Sequence, residues 1–404
     1  MLRERLLTLI AALCTLVLLA ALGWRAYTEV GGIDSFALLA DAFLHGRLGF
    51  AGCFDNECVR VGGRMYLVQP PFPAVVVAPL VAVFGVWFHH FILVAAVLVA
   101  VTLWLWRRIF DRLGADPEVR DWLLVALLTS TPLIYAALRS DGVWLFAHVV
   151  GFLMATIAVH EALAGRLVTT ALAVGAAFLS RQMSLFLLPF LFALTLTERA
   201  RFLPPSRETV VKALKLGAVF AIPVAFYLIY NWSRFGNPME TGHTLLAAEA
   251  PTSVEDTTVT HRLIDIGVFS SKYVLSNFFY TFLQGFHAEF DPRLAVKLTG
   301  MDSMGTSIIA ASPFLLFLFF MRRDRVVLFG ALSVALIMGM FFFYHSNGAK
   351  QYNVQRYLLD YLPVLMVFLP HAIRREQLPI FKLLVVWGAV LQVASVAVLA
   401  LTRV

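Results

Sequence analysis

Eleven apolar runs occupy most of this sequence, near 6–24, 86–106, 122–138, 143–163, 168–180, 183–197, 213–231, 306–321, 325–344, 357–371 and 380–401. A helix that crosses a bilayer needs about 20 predominantly apolar residues, and most of these runs come close to that length. The runs 168–180 and 183–197 are shorter, but fused through Arg181-Gln182 they would overshoot a membrane, so they read as two spans. The expectation is an all-α integral membrane protein with about eleven transmembrane helices. A chain that is 60% hydrophobic and only 14% charged is no soluble globule. The first run, preceded by Arg3 and Arg5, resembles a signal peptide without a convincing small-residue cleavage site, and is expected to stay as the first helix.

A net charge of +7 would suggest a nucleic-acid partner in a soluble protein. In a membrane protein the distribution matters more, because Lys and Arg collect in short cytoplasmic loops. The basic clusters are Arg107 to Arg120, Arg166, Arg199 to Lys215, Arg322 to Arg325 and Arg374 to Lys382. Placing the N-terminus inside puts all of them in the cytoplasm and no nucleic acid is expected. The loops left outside are 25–72 (to 85 with an interfacial segment), 139–142, 181–182, 232–305 and 345–356, so every long loop is extracytoplasmic. Cys53 and Cys58 enclose four residues, a spacing suited to a local disulfide in an oxidising compartment, with two free or metal-binding thiols as the alternative. Cys14 reads as a packing residue of the first helix. No linker, low-complexity run or strong internal repeat divides residues 1–404, which read as a single polytopic domain.

Polar chemistry is concentrated in the first outer loop, which carries Asp34, Asp41, His45, Arg47, Asp55, Glu57, Arg60, Arg64, Tyr66 and Gln69. Gly31-Gly32 breaks the preceding span and Asp34 is placed to cap a new helix. Apolar residues at 36, 39, 40, 43 and 44 form a stripe, and Gly46 ends it, so this helix should lie in the interface. A second juxtamembrane helix is expected from Pro71 to Gly85. Asp34 is either that cap alone or also a general base at the membrane boundary. Asp141 either caps the fourth span or lines a cavity. His89-His90 should lie at the outer end of the second span. Asp55-Asn56-Glu57 has the spacing of an acidic metal motif but sits inside the Cys53–Cys58 loop, where a solvated turn is the simpler reading. His287-Ala288-Glu289-Phe290-Asp291 would align three ligands if extended, yet no further Cys or His stands at ligand spacing, so no metal or cofactor is expected.

Taken together, several segments resemble the polytopic GT-C glycosyltransferases, in the branch of the protein O-mannosyltransferases and bacterial aminoarabinose transferases. They are Asp34, the helix ending His45-Gly46-Arg47, Gly63-Arg64-Met65-Tyr66, Gln69-Pro70-Pro71-Phe72-Pro73, Asn231 to Gly242, and Gln355-Arg356-Tyr357-Leu358-Leu359-Asp360-Tyr361-Leu362-Pro363. The sequence departs from that pattern in having Ser35 after Asp34 where many relatives have a second acid, so Asp41 or Asp55 could assist. The resemblance implies transfer of a sugar from a polyprenyl-phosphate carrier to an acceptor hydroxyl at the outer leaflet, normally with inversion, in a bacterial inner membrane. It implies cationic ligands for the phosphate, for which Arg356, Arg181 and Arg234 are the candidates, with snorkelling at span ends as the plainer role. Tyr66, Gln69, Asp41 and Asp141 are candidates for the sugar. The acceptor is a glycan, lipid or protein. The acidic residues 249, 255 and 256 belong to the long loop 232–305, where an aromatic helix from Ile264 to Phe286 could wall a polyprenyl tail or simply pack.

Two other functions fit the same composition. A transporter or flippase would show ionisable residues near the midplane, whereas these spans are nearly charge-free and the polar loops share one face. A non-catalytic lipid-binding subunit would use the same fold without the base.

Overall fold

The computed structural model describes residues 2–32, 34–53, 57–196, 205–246, 258–321, 324–346 and 351–402, with side chains omitted at 258–260. The expectations resting on Asp55 and Asn56, Arg199, Glu249, Glu255, Asp256 and Arg322-Arg323 lie outside these residues. Among the described residues six helices are long and apolar enough to cross a membrane. They are α1 (Leu2–Tyr27), α4 (Phe91–Arg112), α7 (Val143–Leu163), α10 (Arg207–Phe235), α14 (Arg325–Phe343) and α16 (Leu378–Thr402). Between them stand α2 (Ser35–Leu44), α3 (Phe72–Phe84), α5 (Pro117–Thr129), α6 (Leu133–Leu138), α8 (Leu167–Phe178), α9 (Leu188–Thr195), α11 (Thr258–Asp265), α12 (Val274–Phe282), α13 (Ile308–Ala311) and α15 (Leu358–Ala372). Each of the eleven apolar runs contains helix, so the chain is an all-α integral membrane protein.

Several runs are not continuous helices, and the breaks explain one another. The run 122–138 divides at Ser130 to Pro132 into α5 and α6, and 306–321 is one turn of α13 followed by a 3-10 stretch, Pro313–Phe320. Backbone groups freed at membrane depth must find partners inside the protein. Here the Ser312 hydroxyl donates to the Ser130 carbonyl at 2.6 Å, and the Ser130 hydroxyl donates to the Val385 carbonyl of α16 at 2.8 Å. Gly388 lets α16 approach: a Cβ there would sit 2.7 Å from the Ala311 carbonyl oxygen and 2.7 Å from the Ser130 Cβ. The runs 168–180 and 183–197 do separate, with Arg181 extended between α8 and the 3-10 turn Gln182–Leu187 that leads into α9.

The loop segments contain more extended chain than the all-α expectation. Cys58–Val61 (β1) and Arg64–Leu67 (β2) form an antiparallel hairpin, turning at Gly62 and Gly63, both at positive φ. Ala288–Phe290 (β3) pairs with Leu298–Met301 (β4). The expected aromatic helix 264–286 is shorter, confined to α12 with a preceding turn, because Gly267 at φ +96° ends α11 and the chain turns before Ser271. On α12, Asn277 donates its amide to the Phe341, Phe342 and Tyr344 carbonyls and so closes the end of α14. Asp34 caps α2, its Oδ1 accepting from the Phe36 amide at 2.7 Å. The buried face of α2 is Ser35, Phe36, Ala37, Leu39, Ala40 and Ala42, and α2 packs along α3. Leu44 is exposed, which corrects the outer edge of the expected stripe.

Candidate active site

Tyr357, at the start of α15, is the ring around which the charged groups of the bundle gather. The Arg356 guanidinium carbon lies 5.5 Å from its centroid and that of Arg181 lies 5.4 Å away. Phe341 stacks on it at 4.3 Å, Tyr344 stands 6.4 Å off, and the His148 ring is at 5.8 Å. Trp144, one turn before His148 on α7, carries the other face of Arg356 at 5.5 Å.

The two arginines are in opposite electrostatic circumstances. Arg181 grips Asp360 through Nε at 3.1 Å and Nη2 at 3.0 Å, a two-point pair that neutralises both. Gly151 makes room for it, since a Cβ there would stand 2.8 Å from the Arg181 Cγ. Arg356 is 6% exposed, has no carboxylate partner among the described residues, and leaves Nε and Nη1 without a hydrogen-bond acceptor. Its backbone is fixed from below. Gln351 accepts the Arg356 amide at 2.8 Å, and Asn353 donates to Gln392 of α16 at 2.7 Å. Tyr352 between them holds φ +57°, a left-handed conformation that a non-glycine residue keeps only when its surroundings impose it.

The first loop lies over this group. Phe36 of α2 contacts Phe146 of α7 with centroids 6.0 Å apart, two residues from Trp144, so Asp34 and Arg356 are at the same end of α7. Cys53 and Cys58 form a disulfide, and the Ser35 hydroxyl meets Cys53 Sγ at 3.4 Å. Glu57, beside that bridge, accepts from Gln69 Nε2 at 2.6 Å.

The other candidates have duties of their own. Arg234 donates through Nη1 to the Leu67 carbonyl at 2.6 Å, which ties α10 to the hairpin, and through Nη2 to Asn231 Oδ1 of its own helix at 2.7 Å, packed over Tyr230 at 3.9 Å. Tyr66 meets Phe235 edge-on at 5.7 Å beside it. Asp41 pairs with Arg47 at 3.2 Å on the exposed side of α2, and Asp141 pairs with Arg25 at 2.7 Å. Among the described residues no three of His, Cys, Asp and Glu stand together where they could hold a metal ion.

Sequence reasoning passed over His148, Asp360 and Glu29, and read Glu57 as a solvated turn. Asp360 carried a usable signal, because an acid inside an apolar run demands a partner. Glu29, just beyond α1, accepts the Phe91 amide and the Ile92 amide, each at 3.1 Å, and so caps α4. Burial pushes its carboxyl up to about 7, against the lowering effect of those two amides, with Asp141 raising it further.

No family model matches the sequence, and no curated protein matches it either. Three solved structures resemble it. ArnT from Cupriavidus metallidurans bound to undecaprenyl phosphate is 16% identical over 91% of this chain and 60% of that one, with TM-score 0.47. Its apo state gives 15% identity over 93% and 60%, with TM-score 0.44. The protein O-mannosyltransferase Pmt1-Pmt2 complex of S. cerevisiae bound to the sugar donor gives 15% identity over 75% and 41%, with TM-score 0.35. The chain thus spans 41% to 60% of the length of the solved chains it matches.

Proposed function

We propose that the protein is a membrane glycosyltransferase that moves a sugar from a polyprenyl-phosphate donor to an acceptor hydroxyl at the extracytoplasmic face, with inversion. One observation carries the reading: Arg356 is a buried guanidinium with two N–H groups unspent, held beside an arginine whose charge Asp360 already cancels. A buried cation without a counter-charge is costly, and a phosphate anion is the complement that a fixed guanidinium suits.

In this reading the donor's phosphate lies on Arg356. Asp34 takes the proton of the acceptor hydroxyl as the acceptor oxygen bonds to the anomeric carbon. The bond from that carbon to the phosphate oxygen breaks, and the diester, with one negative charge, leaves as a monoester with a second. Arg356 stabilises that developing charge. Asp34 reaches this position as the cap of α2, its Oδ1 accepting the Phe36 amide. Arg181 and Arg234 act as positioning residues, the first through Asp360 and the second through the Leu67 carbonyl. Tyr66 and Gln69, on and just beyond the hairpin of the loop 25–85, border the sugar, and the loop 232–305 offers the acceptor surface. The Cys53–Cys58 bridge supports an oxidising compartment for this end of the molecule.

The test is to incubate the purified protein with a panel of polyprenyl-phosphate sugars and assay release of free polyprenyl phosphate. Release from at least one donor is expected. Solute uptake by reconstituted vesicles with no release from any donor would replace the reading with a transporter.

A further inference from the structure

His148 has no task in the bundle that its neighbours reveal. It lies on α7 one turn from Trp144, is 1% exposed, and faces the Tyr357 ring at 5.8 Å and 44°. Neither Nδ1 nor Nε2 has a hydrogen-bond partner among the described residues. Buried polar atoms in folded proteins are nearly always paired, and leaving one unpaired costs about 1–3 kcal/mol. Here both nitrogens of one ring are unpaired, beside the same tyrosine that carries Arg181 and Arg356.

The charge state of this ring follows from its surroundings. A third positive charge beside two guanidinium groups, away from water, is opposed by both burial and repulsion, so the imidazole is neutral. A neutral imidazole offers one N–H and one lone pair on opposite sides of the ring. Asp360 pairs with Arg181, so of the two guanidinium groups on this ring Arg356 is the one with no paired carboxylate among the described residues. One phosphodiester anion balances it, and a neutral N–H adds a hydrogen bond without overcompensating.

We infer that His148 is a second ligand of the phosphate, donating its imidazole N–H to an oxygen of the anion that Arg356 holds. This rests on the reading of the site as a phosphate-linked donor site. It adds a residue, a protonation state and a tautomer to it: one ring nitrogen must carry the proton when the anion is bound. As the diester becomes a monoester and gains negative charge, that hydrogen bond strengthens, so the residue assists departure of the phosphate as well as binding.

The probe is undecaprenyl phosphate added to the detergent-solubilised protein. His148→Phe keeps the ring volume and should weaken binding roughly 10- to 100-fold, the range expected for a hydrogen bond to a charged group, while His148→Gln, which keeps an N–H donor, recovers part of the loss. Imidazole 15N spectra, with the His148 signals assigned by difference from His148→Phe, should show one tautomer fixed on adding the lipid. Arg356-dependent binding with unchanged His148 signals and full affinity in His148→Phe would overturn the assignment and leave the donor-site reading standing. No binding by the wild-type protein would remove both.

Discussion

Asp360 and Arg181 meet through two hydrogen bonds of 3.0 and 3.1 Å, and their mutual neutralisation leaves Arg356 as the guanidinium on the Tyr357 ring with no carboxylate partner among the described residues. The pair is buried, with 2% of the Asp360 side chain exposed. Breaking such a pair from one side strands a charge and costs about 3–5 kcal/mol, whereas replacing both members with apolar residues costs far less. Asp360→Leu should therefore lower the thermal unfolding midpoint sharply, and adding Arg181→Met should recover much of the loss. Equal midpoints in the single and double variants would show that the two side chains are not energetically coupled.

Arg356 should behave in the opposite way. Among the described residues no carboxylate pairs with it and Nε and Nη1 have no acceptor, so Arg356→Met should leave stability unchanged or raise it, while affinity for undecaprenyl phosphate falls at least about tenfold. A destabilised variant that still binds the lipid would assign Arg356 a structural role.

Asn caps a helix about as well as Asp. Asp34→Asn should thus preserve α2 and the unfolding midpoint but abolish sugar transfer, because an amide cannot accept the acceptor's proton. Wild-type turnover in this variant would take Asp34 out of the chemistry.

Glu29 sets a pH dependence whose sign is fixed. Its carboxyl is raised from 4.5 to about 7 in the folded protein. Between those values the native state holds a proton that the unfolded chain has released, so stability falls as pH rises from about 4.5 through 7. Glu29→Gln should flatten that slope, read as the unfolding midpoint of both proteins across the window. Parallel slopes would exclude this carboxyl as the source.

Gly388 allows α16 to touch the breaks at Ser130 and Ser312. Gly388→Ala forces a methyl group against the Ala311 carbonyl oxygen and should cost about 1–3 kcal/mol, seen as a lower unfolding midpoint. An unshifted midpoint would mean that the helices separate freely at this point.

The spans, the Asp34 cap, the α3 segment and the break at Arg181 were legible because each is written in local sequence: apolar length, a capping residue after a glycine pair, prolines, a charge in an apolar run. The breaks at Ser130 and Ser312 were not, since the partner that satisfies each is far along the chain or on α16. The β1–β2 hairpin had a signal in Gly62-Gly63 that the helical composition around it obscured. For the site, Arg356 and Arg181 could be named from the sequence, but their division of labour could not, because it depends on which of them Asp360 reaches. A lone histidine in an apolar helix such as His148 says nothing until its two unpaired ring nitrogens are seen.

The hydrogen bonds from the Arg356 amide to Gln351 and from Asn353 to Gln392 settle the backbone that carries the guanidinium when the chain folds, not when a ligand arrives. An anion reaching the site meets a charge whose backbone anchor is already in place. Its affinity then depends on its own desolvation and fit, so shortening or stiffening the lipid tail should alter how fast it arrives more than how firmly its headgroup is held.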